Sequence, residues 1–152
     1  MRVGVISDTH GLLRPEALRA LAGCERILHA GDIGKPEVLD ALARIAPVVA
    51  VRGNNDAGAW AEKLPASEVV ELGGVSLYLL HDLAELDLDP EAAGFAAVIS
   101  GHSHRPSASV RDGVLYLNPG SAGPRRFRLP IALARLTIES GKLEHELIEL
   151  AI

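Results

Sequence analysis

The chain has 152 residues and a mass of 16.0 kDa, about one domain by length, and its 48% hydrophobic content is enough to build a core. Aromatics supply only 3%, so that core must come from Ala, Leu, Val and Ile, while a net charge of −5 and a pI near 5.6 argue against a broad polyanion-binding surface. Cys24 stands alone, which excludes an intrachain disulfide or a cysteine zinc cluster, and no run reaches the roughly 18 apolar residues of a membrane span.

The elements alternate in type at first. Arg2–Ser7 reads as a strand, and Arg14–Gly23 as a helix with Pro15 in its first turn and Gly23 as its stop. Arg26–Ala30 is a second strand. Gly34-Lys35-Pro36 opens a second helix running to about Arg44, and Val48–Val51 is a third strand. Strand, helix, strand, helix, strand predicts right-handed crossovers and a largely parallel sheet.

The second half changes character. The runs SEVVEL and VSLYLL flank Gly73-Gly74, a hairpin signal. A helix is predicted from about Pro90, leading into the apolar run Ala96–Ile99. The runs ASV, VLYLN, IALARLTI and KLEHELIEL, punctuated by Asp112-Gly113 and Ser140-Gly141, read as short antiparallel strands. There is no internal repeat or linker. One domain over residues 1–152, with two sheets and flanking helices, is the economical reading.

Polar residues follow almost every strand in the alternating half and beyond. The first strand ends in Asp8-Thr9-His10-Gly11, the second in Gly31-Asp32, and the third leads into Gly53-Asn54-Asn55-Asp56. Val75–Leu80 ends in His81-Asp82, and Ala96–Ile99 runs into Gly101-His102-Ser103-His104. In extended chain His102 and His104 project to the same side and can converge. Ligands in open α/β sheets gather beyond the carboxyl ends of the strands, so five strands deliver metal-grade side chains to neighbouring loops. Each motif alone is weak, because Asp and Asn commonly cap helices or make turns. Their conjunction is the signal.

Rival motifs fail on spacing. Gly-His-Ser-His-Arg lacks the final glycine of a nucleophile elbow, since Arg105 stands there. Gly31–Pro36 is too short for a phosphate-binding loop, and Pro36 replaces the hydroxyl that would hold magnesium.

The ordered series D-x-H, G-D, G-N-x-D, H, G-H-x-H, followed by Asn118-Pro119-Gly120-Ser121 and an arginine, resembles the calcineurin-like metallophosphoesterases, in their small bacterial and archaeal phosphodiesterase branch. The resemblance runs from Arg2 to about Arg126. It implies an α/β, four-layer αββα sandwich of two mixed sheets between helices. It also implies one metal at Asp8, His10 and His104, a second at Asn54, His81 and His102, and Asp32 as the bridge. Two divalent ions are then expected, with manganese favoured and iron, zinc, cobalt, nickel or magnesium compatible with oxygen and imidazole donors. A bridging hydroxide would attack phosphorus in line, with Asp32, Asn54 and His102 acting through the metal centre.

Two departures refine the expectation. Many relatives carry a histidine just after the ligand asparagine. Here Asn55 stands in that place and cannot serve as an acid at neutral pH, which favours phosphodiesters. Asp82 replaces a common glycine and could add an outer hydrogen bond. Asn55, Arg125 and Arg126 are candidate substrate contacts, and an arginine fork suits a phosphate. His29 reads as a packed core histidine and His145 as an exposed one, while Trp60 either walls the cleft or fills the core. The expected partner is a phosphoester, such as a nucleotide or cyclic nucleotide, with no membrane and no bulk nucleic-acid surface. The expected location is the cytoplasm. The alternatives are an inactive protein-binding scaffold of the same fold, or a phosphomonoesterase.

Overall fold

The computed structural model describes residues 1–152 as two five-stranded sheets packed face to face. In the first sheet, β1 (Arg2–Ile6), β2 (Arg26–His29) and β3 (Val48–Ala50) run parallel, joined by helices α1 (Pro15–Leu21) and α2 (Pro36–Ala43). Beyond β1 lie β9 (Ala132–Glu139) and β10 (Lys142–Glu149), both pairs antiparallel, giving the order β10-β9-β1-β2-β3.

The second sheet holds β4 (Ser67–Leu72), β5 (Val75–Leu80), β6 (Ala97–Ile99), β7 (Ser107–Arg111) and β8 (Val114–Asn118), in the order β4-β5-β6-β8-β7. The Gly73-Gly74 hairpin joins β4 to β5 as the sequence predicts, whereas β6 lies parallel to both β5 and β8. β8 pairs antiparallel with β7 as expected, and its second, parallel pairing with β6 makes this sheet mixed, as the family resemblance implies.

Alternation along the strands divides the core into layers. Val3 and Val5 of β1, Leu77 and Leu79 of β5, and Ile99 of β6 are buried between the sheets. Ile6 and Ile27 turn outward onto Ala17, Leu21, Val38 and Leu42 of the helices. Each fully buried Leu or Ile contributes roughly 1.5–3 kcal/mol. Trp60, in the short helix α3 (Ala59–Glu62), packs at the edge of this helix-side layer, so it serves the core.

The fourth layer is thin. Tyr78, Leu80, Val98 and Val114 face outward under Leu83, Leu86, Leu88 and Phe95, which come from a 3-10 turn (Leu83–Glu85) and the loop after it. The helix expected from Pro90 is a single turn. Asp89 caps it by accepting from the Glu91 and Ala92 N–H groups, and Gly94, at φ +80°, ends it at once. No helix is long and apolar enough to cross a membrane.

Candidate metal centre

The loops after β1, β2, β3, β5 and β6 meet at one end of the two sheets. Five of the seven expected ligands hold left-handed backbone: Asp8, His10, Asp32, His102 and His104, with φ between 45° and 71°. Side chains other than glycine rarely adopt this region, and such residues cluster where geometry matters more than local ease. The sequence offers no sign of it.

Asp8 is fully buried. Its Oδ2 accepts from Ser7 Oγ at 2.7 Å and from the His102 N–H at 3.1 Å. Its Oδ1 has no hydrogen-bond partner and faces three imidazoles, His104 Nε2 at 3.3 Å, His10 Nε2 at 3.7 Å and His81 Nε2 at 3.9 Å. Asp32 Oδ2 lies 3.3 Å from His81 Nε2 and 3.7 Å from His10 Nε2. Asp8, His10 and His104 thus form one group of candidate ligands, and Asp8, Asp32 and His81 a second. Asp8 as well as Asp32 stands between the two groups.

Asn54 and His102 occupy the exposed rim, with His102 Nδ1 3.2 Å from Asn54 Oδ1. The His102 ring meets that of His81 edge-on, with centroids 5.2 Å apart, which places the pair beside the second group. Asp82 Oδ2 lies 3.8 Å from His102 Nε2, on the far side of that ring from Asn54.

Protonation follows from this crowding. Burial pushes the Asp32 carboxyl up, but the adjacent His81 imidazole and the two hydrogen bonds from Asn55 outweigh it and hold the group well below the ordinary carboxylate range. Asp8 also stays low, because His10, Ser7 and the His81 and His104 charges overcome its burial. The Asp8 contact raises His10, and Asp32 and Asp8 raise His81 against its own burial, whereas burial lowers His104. Two ionised carboxylates therefore sit among imidazoles in a largely buried site.

That donor set fits divalent cations. The His81 Nδ1–H donates to the Ala30 carbonyl at 2.7 Å, which leaves the buried Nε2 as a lone pair without a partner, next to the equally unpartnered Asp8 Oδ1. Fixing the outer nitrogen in this way is how ligating histidines are oriented. Carboxylates and neutral imidazoles without thiolate suit borderline divalent metals.

Residues 1–141 match the calcineurin-like phosphoesterase superfamily domain. The chain belongs to this superfamily. A "Probable metallophosphoesterase" of Methanocaldococcus jannaschii is 36% identical to it, covering 97% of this chain and 81% of its own. An archaeal phosphodiesterase superposes with a TM-score of 0.80 at 23% identity, covering 97% of this chain and 100% of its own. Wild-type Vps29 of Entamoeba histolytica, solved with Zn²⁺, has a TM-score of 0.76 at 24% identity over 98% of this chain and 99% of its own. At these identities the two solved structures show the fold alone.

Against this calcineurin-like frame, the supporting residues are the ones that sequence reasoning missed. Asp56 is buried and accepts three backbone N–H bonds, from Ile33 at 3.2 Å, Gly34 at 3.0 Å and Gly53 at 2.9 Å, clamping the Asp32 loop to the Asn54 loop. It stands in the Gly53–Asp56 motif, but nothing in the sequence tells which loop it grips. The fully buried His29 accepts from the Gly31 N–H through Nδ1, so its Nε2–H donates to Thr9 Oγ1, which in turn donates to the Ile33 carbonyl. Burial lowers its pKa to about 4 and keeps it neutral.

Asn118 and Ser121, noted in the sequence only for their motif, tie loops together. Asn118 Nδ2 donates to the Gly101 carbonyl and to Ser103 Oγ, and Ser121 Oγ donates to the Asp8 carbonyl. Glycine is required where these loops touch. A Cβ on Gly53 would collide with Asp32, and one on Gly101 with Ser7 Oγ.

The remaining candidates divide. Asn55 turns inward, donating its backbone N–H to Asp32 Oδ1 at 2.8 Å and its side-chain amide to Oδ2 at 3.0 Å. The exposed Arg125 donates to Leu129 within its own loop, whereas the charge of Arg126 is felt by both His10 and His104. His145 is exposed, as expected.

Proposed function

We propose that the protein is a phosphodiesterase working with two divalent metal ions, with manganese the first choice. Asp8, His10 and His104 would hold one ion, Asn54, His81 and His102 the other, and Asp32 would bridge, with Asp8 close enough to both to share that task. The observation that carries this reading is the buried Asp8 Oδ1, which has no hydrogen-bond donor and faces three imidazole nitrogens within 3.9 Å. A buried acceptor left in this state costs about 1–3 kcal/mol unless something fills it.

When bound, the ions would supply Lewis-acid stabilisation of phosphoryl oxygens and lower the pKa of a water. The protein's own contribution is placement. Ser7 and the His102 N–H turn the Asp8 carboxylate, Asn55 anchors Asp32, and the Ala30 carbonyl fixes the His81 tautomer. Arg126 would offer a guanidinium to a phosphoryl oxygen at the mouth, while Arg125, bonded within its loop, is the weaker candidate.

Diester preference follows from Asn55. Its amide is engaged with Asp32, and it provides no acid for a poor alkoxide leaving group. The proposed single domain spans residues 1–152, with the cytoplasm as its setting. A catalytically inactive scaffold would have no need for five strained ligand positions.

The test is hydrolysis of bis(p-nitrophenyl) phosphate and of glycerol 2-phosphate, before and after chelation and manganese restoration. Metal-dependent cleavage of the diester, faster than of the monoester, supports the reading. Undiminished cleavage in metal-free protein overturns the metal mechanism. A faster monoester overturns the preference, and no cleavage of either by the loaded protein favours the scaffold.

A further inference from the structure

A groove of about 220 Å³ opens beside His102, between the 3-10 turn at Leu83 and the outer face of β7 and β8. Nothing assigned to the metal centre uses it beyond His102 itself and the loop that carries it. Its wall is polar because of strand register. Ser107, Ser109 and Arg111 alternate along edge strand β7 and share one face of it. Ser109 pairs with Tyr116, and Ser107 pairs with Asn118, the residue that holds the Gly101–Ser103 loop.

Arg111 does not extend away along the strand. Its guanidinium lies 3.9 Å from the centroid of the Tyr116 ring. Stacking of this kind presets the side chain while leaving its in-plane donors free to bind an anion. No carboxylate or carbonyl of the protein takes those donors. Tyr116 stands two residues before Asn118 on β8, so the cation sits about 7 Å along the strand from the level of the metal-centre loop. Asp82, the acidic residue at the groove's mouth, has one oxygen capped by the Ala84 N–H and the other turned to His102, so it leaves Arg111 unpaired. Ser103 accepts from Asn118 and from the Arg105 N–H, which leaves its hydroxyl proton to donate into the groove.

We propose that this groove takes the hydroxylated arm of a phosphodiester and that Arg111, stacked on Tyr116, binds a second phosphate carried by that arm. The inference rests on the phosphodiesterase reading and narrows its substrate class to diesters bearing a further phosphoryl group about one sugar unit from the scissile phosphorus.

A matched pair of substrates isolates the second phosphate: thymidine 5′-(p-nitrophenyl phosphate) with and without a 3′-phosphate. The manganese-loaded protein is expected to favour the 3′-phosphorylated compound in kcat/KM by about tenfold, the scale of one charge-assisted contact. Arg111→Ala should bring the ratio of the two substrates to near one, and Lys142→Ala, which removes a cation from β10, should preserve it. Calorimetry gives a second readout without turnover. Thymidine 3′,5′-bisphosphate should bind more tightly than thymidine 5′-phosphate to the wild type, and the difference should vanish in Arg111→Ala. Equal binding of the two nucleotides by the wild type, or a preference that survives Arg111→Ala, overturns the assignment. Failure to cleave bis(p-nitrophenyl) phosphate would instead strike the parent reading, while the binding comparison still decides the groove.

Discussion

His29 makes a stability prediction that can be worked through in numbers. It is fully buried between the loops carrying Asp8–His10 and Asp32, and burial holds its pKa at about 4 against an ordinary 6.5. The unfolded chain therefore binds a proton that the folded chain refuses between these values. Stability from this group is fully present above pH 6.5 and is lost as the pH falls towards 4. The difference between an ordinary 6.5 and about 4, at about 1.4 kcal/mol per pH unit, gives about 3.5 kcal/mol in full, of which about 3 kcal/mol is lost between pH 7 and pH 4. His10 and His81, whose pKa values are raised, work in the opposite direction: their stabilisation is present below the ordinary histidine range and fades as pH rises through their folded values. The wild-type curve alone is thus ambiguous, and a variant isolates the residue. His29→Gln keeps a carbonyl for the Gly31 N–H and an amide donor for Thr9 but cannot titrate. In urea unfolding of the metal-free protein at pH 7, 6, 5 and 4, the wild-type advantage over His29→Gln should shrink by about 3 kcal/mol across the range. A difference that stays constant with pH would refute the reasoning, because it would mean that His29 is charged, or not desolvated, in the fold.

Other substitutions separate placement from chemistry. Asp56→Ala leaves three N–H groups without an acceptor, those of Ile33 and Gly53 buried and that of Gly34 partly exposed, and should cost about 2–3 kcal/mol in denaturant unfolding; an effect below about 0.5 kcal/mol would mean that water replaces it. Asn55→Ala removes the amide from Asp32 and should weaken metal binding about 10–100-fold by calorimetry with little change in circular dichroism, whereas unchanged affinity would show that the contact is incidental. Asn55→His should raise monoesterase relative to diesterase turnover, and a fall in that ratio would argue against a missing general acid. His104→Ala should lose most activity yet remain folded and soluble, and collapse of its far-ultraviolet spectrum would show that the histidine is chiefly structural.

The sequence carried the layers and the site's location but not its mechanics. Alternation in β1 and β5, the Pro15 and Pro36 helix starts and the Gly73-Gly74 turn are short-range signals, and they place the elements well. The Pro90 segment misled, because three helix-compatible residues before Gly94 cannot outlast its left-handed turn. The parallel pairing of β6 with β8 was hidden because it depends on contacts between distant segments. At the site, residue types after each strand announced the seven polar side chains. Their left-handed backbones, the triple grip of Asp56 and the His29–Thr9 chain arise only when separate loops meet, so no local pattern records them. Asn55 shows the limit best: its position in the motif marked it as a site residue, but its two hydrogen bonds to Asp32, 23 residues away, are recorded by no local pattern.

Anomalous diffraction from manganese-loaded crystals would decide whether this is a dinuclear centre. Two peaks are expected, about 3.5–4 Å apart. One should lie against Asp8 Oδ1 with His10 and His104, the other against His81 with Asn54 and His102, and Asp32 Oδ2 should touch both. A single peak, or peaks bound away from Asp8 and Asp32, would contradict it.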